Sequence, residues 1–76
     1  MNKDRRKRLS IAYSSIDEAL NLVEEVQSEE NEAFENLSEG LKQSENGQRM
    51  ETAASALDDA ATYLRDALSY IEQAQE

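Results

Sequence analysis

The chain has 76 residues, no cysteine, histidine or proline, two glycines and a formal net charge of −9. Lack of cysteine excludes a disulfide framework and thiolate metal sites, and lack of histidine removes the commonest general base and metal ligand. No apolar run approaches the roughly 20 residues that cross a bilayer, and no apolar stretch of signal-peptide type follows the basic segment Met1–Arg8, so a soluble protein inside the cell is expected.

Alanine, leucine, glutamate and glutamine, all strong helix formers, are abundant. A first helix is predicted over about 3–36, beginning near Asn2 or Asp4. Its stripe, Leu9, Tyr13, Ile16, Leu20 and Val23, alternates steps of four and three, which is a heptad seam. Ala12, Ala19, Val26 and Ala33 widen the stripe on one side, and Phe34 and Leu37 extend it weakly. Gln27 and Glu30 interrupt it. An alternative therefore stays open in which Ser28 caps a separate helix from Glu29 to Leu37, giving three helices, although no glycine or proline marks the break.

The connector is predicted over about 37–46. It holds Gly40, Gly47, Ser38, Ser44 and Asn46, which are turn and cap residues. Its apolar members, Leu37 and Leu41, are expected to plug the end of the bundle. The second helix is predicted over about 47–75, with a start signal at Ser44 or Asn46. Its stripe is Met50, Ala54, Leu57, Ala61, Leu64, Leu68 and Ile71. Ala53, Ala60, Ala67 and Ala74 form a parallel column at seven-residue intervals, and small residues of this kind are expected at the seam, where they let helices pack closely.

Each helix would be about 45 Å long at the standard rise. The expected fold is all-α, a single-domain, long, coiled-coil-like antiparallel helical hairpin. One core of this size is marginal alone, and the simplest remedy is a homodimer forming a four-helix bundle.

Charge is unevenly spread. Residues 1–8 hold Lys3, Arg5, Arg6, Lys7 and Arg8 against Asp4 alone. The rest of the chain holds sixteen acids against Lys42, Arg49 and Arg65, and Asp17 to Glu39 contains nine acids and no base. Helix solubility alone would be served by mixed signs in i,i+4 pairs, whereas like charges repel. Two readings are open: a solvated acidic face, or a surface that docks on a basic partner. A rigid rod of carboxylates can imitate the phosphate line of a nucleic acid. The candidate partner-binding residues are Asp17, Glu18, Glu24, Glu25, Glu29, Glu30, Glu32 and Glu35, joined by Asp58, Asp59 and Asp66.

The basic N-terminus opposes the helix dipole. In a hairpin it lies beside Glu72 and Glu76, so it is expected to compensate those acids and the last carbonyls of the second helix. A phosphate-binding role for Arg5, Arg6 and Arg8 is the alternative. Sequence-specific DNA binding is not expected, because the remaining surface would repel the duplex.

No catalytic constellation is legible. Glu24–Glu25 and Asp58–Asp59 are neighbours on a helix and point about 100° apart. A di-iron bundle site normally uses Glu-x-x-His, and EF-hand, P-loop and dinucleotide patterns are absent. No enzyme activity, cofactor or metal is expected. Tyr63 and Tyr70, one heptad apart, share a face that serves either bundle-edge packing or a protein interface; Tyr13 is the third tyrosine.

The stretch Glu32-Ala33-Phe34-Glu35-Asn36-Leu37-Ser38-Glu39-Gly40-Leu41-Lys42-Gln43-Ser44-Glu45 resembles small acidic helical proteins of phages, prophages and other mobile elements. In that group a charged start and a long acidic helix lead into an Asn-Leu-Pro-Glu-x-Leu-like connector, then a Ser-Glu start and a second acidic helix. Ser38 stands here where proline is common, and Gly40 replaces a larger residue, so a looser bend is expected. The resemblance implies a mobile-element origin and a bacterial cytoplasm, and carries over no catalytic residue. The function expected is inhibition of a basic, nucleic-acid-binding host defence factor, of anti-CRISPR or anti-restriction type, by DNA mimicry. A self-assembling structural or ligand-sequestering module is the alternative.

Overall fold

The computed structural model describes residues 1–76 and is all-helical: α1 (Lys3–Glu35), α2 (Glu39–Lys42) and α3 (Glu45–Ala74). α1 and α3 form an antiparallel hairpin 58 Å long and 14 Å in each other dimension. α1 runs unbroken through Gln27–Glu30, so Ser28 starts no separate helix. Each helix begins where a side-chain oxygen takes up an otherwise orphan backbone N–H. Asn2 accepts from Arg5 N at 2.8 Å, Ser38 from Leu41 N at 3.3 Å, and Ser44 from Gly47 N at 3.1 Å.

The connector differs from the expected turn. Ser38 caps the one-turn helix α2, and Ser44 starts α3 two residues before the predicted boundary, so the bend is capped on both sides rather than loose. Neither glycine has positive φ. Gly47 is buried in the first turn of α3, where a Cβ would collide with the Leu41 and Lys42 carbonyls. It permits a close approach of backbones, not a turn. Gly40 has open space around it. Leu41 is exposed rather than plugging the end; the half-buried Leu37 and Phe34 take that place. Lys42 holds this end together, reaching Glu35 at 3.4 Å and Glu39 at 3.7 Å, with its ammonium 5.5 Å from the Phe34 ring centroid.

The core is a thin seam. Leu20, Ala61 and Leu68 are its buried centre, with Tyr13, Ile16, Val23 and Leu64 packed around them. The small residues that close the seam are Ala54 and the fully buried Ala61. The alanine column Ala53, Ala60, Ala67 and Ala74 flanks the seam instead: Ala53 and Ala74 are exposed, Ala60 and Ala67 half-buried. Each of these alanines immediately precedes a seam residue, and a step of one residue turns about 100° away from the seam.

Candidate functional site

The same rule sorts the whole hairpin into two faces. On α3 the residues just before successive seam positions are Ala53, Ala56, Ala60, Tyr63, Ala67, Tyr70 and Ala74. On α1 they include Ala12, Ala19, Leu22, Val26 and Ala33. Both sets are rotated from the seam in the same sense about their own axes. Because the helices are antiparallel, equal rotation brings both sets to the same side of the hairpin. This side is nearly uncharged. Tyr63 is 74% exposed, Tyr70 68% and Leu22 61%.

Residues just after seam positions make the opposite face, and all are polar: Ser14, Asp17, Asn21, Glu24, Ser28, Asn31 and Glu35 on α1, then Glu51, Ser55, Asp58, Thr62, Arg65, Ser69 and Glu72 on α3. The polar cross-links between the long helices use this side. Tyr13 donates its hydroxyl to Glu72 Oε1 at 2.7 Å, and Gln27 donates to Asp58 Oδ1 at 3.2 Å. Arg65 stands 3.9 Å from Glu24. The bond to Glu72 is the main reason that the Tyr13 phenol is raised above 10.0; desolvation and the charges of Glu72 and Asp17 add to it.

The candidate acids do not form one face. Asp17, Glu24, Glu35 and Asp58 lie on the polar face by this register. Glu18, Glu25 and Glu32 run along the outer edge of α1, and Asp59 and Asp66 along the outer edge of α3, on opposite margins of the rod. Glu29 borders the uncharged face, and Glu30 is a half-buried seam residue. Glu24 and Glu35 are already engaged, with Arg65 and Lys42. The acidic surface is thus a wrap over one face and two edges. Periodicity of the acids alone could not reveal this, because they follow no single helical repeat.

At the basic end the expected compensation of the last α3 carbonyls is present, and that of Glu72 and Glu76 is not. Arg6 donates to the Gln75 carbonyl, closing the C-terminus of α3, and to the Met1 carbonyl. Arg8 pairs with Asp4 at 3.0 Å, and Glu72 is held by Tyr13 rather than by the arm. Lys3, Arg5 and Lys7 make no ion pair.

Surface hollows are shallow, one lined by Glu45, Gln48, Arg49, Thr52, Ala53 and Ala56. No helix is long and apolar enough to cross a membrane. No family model, curated protein or solved structure matches the chain.

Proposed function

We propose that this chain is a non-enzymatic accessory protein of a phage or mobile element, acting in the cytoplasm of a bacterial host. It binds and inhibits a basic, nucleic-acid-binding defence factor of anti-CRISPR or anti-restriction type. Its acidic helical surface stands in for the phosphates of a nucleic acid, and the hairpin works as a homodimeric four-helix bundle. The carrying observation is a 58 Å rod whose polar face and both outer edges bear carboxylates, with only Lys42, Arg49 and Arg65 as bases beyond residue 8.

Magnitude bears on the stoichiometry. Duplex DNA carries one charge per about 1.7 Å, and one strand one per about 3.4 Å. Spread over 58 Å, the net charge of −9 amounts to one charge per roughly 6 Å. One hairpin is therefore sparser than a single strand, and a pair of hairpins reaches about single-strand density.

Charge reversal tests the reading. Glu24, Glu25, Glu29 and Glu30 are the natural set, but Glu24 faces Arg65 and Glu30 is half-buried. Glu25→Lys with Glu29→Lys avoids both, since each of these side chains is exposed. It should abolish inhibition while circular dichroism stays helical; retained inhibition would refute mimicry.

The uncharged alanine–tyrosine face favours the second reading, a self-assembling structural or ligand-sequestering module. Truncation of residues 1–8 separates the two: partner capture survives in a mimic, whereas a phosphate-binding assembly loses its ligand.

A further inference from the structure

The hairpin leaves one broad side without a partner. Leu22, Val26, Tyr63 and Tyr70 are exposed there, between columns of alanine, and no charged residue interrupts the side from Ala12 to Val26 or from Ala53 to Ala74. No large side chain in the molecule is fully buried. The seam alone is thus a poor core for 76 residues, and covering this side would complete it. From Ala53 to Ala74 the side measures about 32 Å, and two helices side by side, side chains included, span about 20 Å. A pair of such faces would bury about 1,200 Å², the lower end of specific interfaces.

We propose that a second copy of the chain covers this side, packed face to face with its long axis reversed and a twofold axis passing near Leu22 and Tyr63. This deepens the homodimer reading above and rests on it. Two observations choose the copy and its direction.

The first is shape. Leu22 and Tyr63 lie at one height along the rod, bracketed by the cross-helix pairs Tyr13–Glu72 and Gln27–Asp58. Setting each over its own copy, with the long axis reversed, stacks α1 on α1 and α3 on α3. Residues equally spaced on either side of the axis then meet. Tyr70 of each copy falls over Ala56 of the other. Each Tyr70 thus meets a small residue, while Leu22 and Tyr63 pack against their own copies at the axis.

The second is charge. The arm Lys3–Arg8 is basic, while the connector end carries Glu29, Glu32, Glu35, Glu39, Glu45 and Glu51 against Lys42 and Arg49. Reversed pairing brings each arm, with its unpaired Lys3, Arg5 and Lys7, to the height of the other copy's acidic connector end. Pairing with the axes in the same direction would put both arms at one end and both acidic connector ends at the other. Opposite charges favour the reversed arrangement over that one.

The chain contains no cysteine, so single cysteines report proximity cleanly. Leu22→Cys should form a disulfide-linked dimer on mild oxidation, and a mixture of Tyr70→Cys and Ala56→Cys should cross-link as a heterodimer. Light scattering of the unaltered chain should give twice the monomer mass, with dissociation rising about tenfold between about 0.05 and 0.5 M NaCl as the arm contacts are screened. Tyr63→Glu should give a monomer. If that variant loses helicity, the cross-links and the salt series on a neutral background still decide. A monomer at all concentrations overturns the proposal. So does a dimer in which Leu22→Cys stays reduced, or one that tightens with salt. A monomer that still captures a nucleic-acid-binding partner overturns only the pairing. A reversed dimer whose capture ignores Glu25→Lys with Glu29→Lys overturns only the mimicry.

Discussion

Tyr13 of α1 reaches across the hairpin to donate a 2.7 Å hydrogen bond to Glu72 of α3. This bond requires the protonated phenol, and it heads the causes that raise Tyr13 above 10.0. A group whose pKa is raised by folding adds stability below its unfolded value of about 10 and loses it as pH climbs through the folded value. Thermal melts at pH 8 and pH 11 should therefore show a fall in melting temperature that Tyr13→Phe reduces. An identical fall in the variant would mean that the bond contributes nothing in solution.

The two glycines should respond oppositely to alanine. At Gly40 a Cβ meets open space inside a helix, so Gly40→Ala should stabilise by about 0.5–1 kcal/mol. At Gly47 the same propensity gain is outweighed, because the Cβ would strike the Leu41 and Lys42 carbonyls. Overpacking against backbone costs about 1–3 kcal/mol, so Gly47→Ala should destabilise. Urea denaturation of the two variants checks the signs.

Ala61 is fully buried in one cluster with Leu20 and Leu68. Ala61→Leu should force the helices apart and cost about 1–3 kcal/mol. Ala53→Leu, seven-residue periodicity notwithstanding, sits on an exposed position and should cost the isolated hairpin less than about 0.5 kcal/mol. Equal losses at both sites would place the alanine column back in the seam.

Lys42 joins Glu35, Glu39 and Phe34 at the closed end, with its side chain only 18% exposed. Lys42→Met keeps the stem packed and removes the charge. The expected loss is about 1 kcal/mol, combining a partly screened ion pair with a cation–π contact. High salt should shrink the difference between variant and parent in denaturation midpoints.

The heptad stripes made the helices legible, because Leu9 to Val23 and Met50 to Ile71 keep the period of a buried seam. The start of α3 was legible to one of two cap residues, Ser44 or Asn46, and Ser44 is the one used. Three features were not. The role of Gly47 depends on carbonyls of α2, a helix of one turn that has no periodic signature. The alanine column reads as seam unless the neighbouring residues are assigned first, since both stripes repeat every seven residues. Tyr13–Glu72 joins residues 59 apart, and only the hairpin register brings them together. The candidate acids were legible as a charge excess, but their division among polar face, two edges and seam needed the fixed rotation of each helix.

The most direct test of the acidic rod as a nucleic-acid surrogate is capture from bacterial host lysate on immobilised chain, eluted by a salt gradient and challenged with free duplex DNA. A nucleic-acid-binding protein should be retained, released at moderate salt, displaced by the DNA, and lost when Glu25→Lys and Glu29→Lys replace the parent chain. Retention that the DNA does not displace, or that survives the charge reversal, would contradict mimicry.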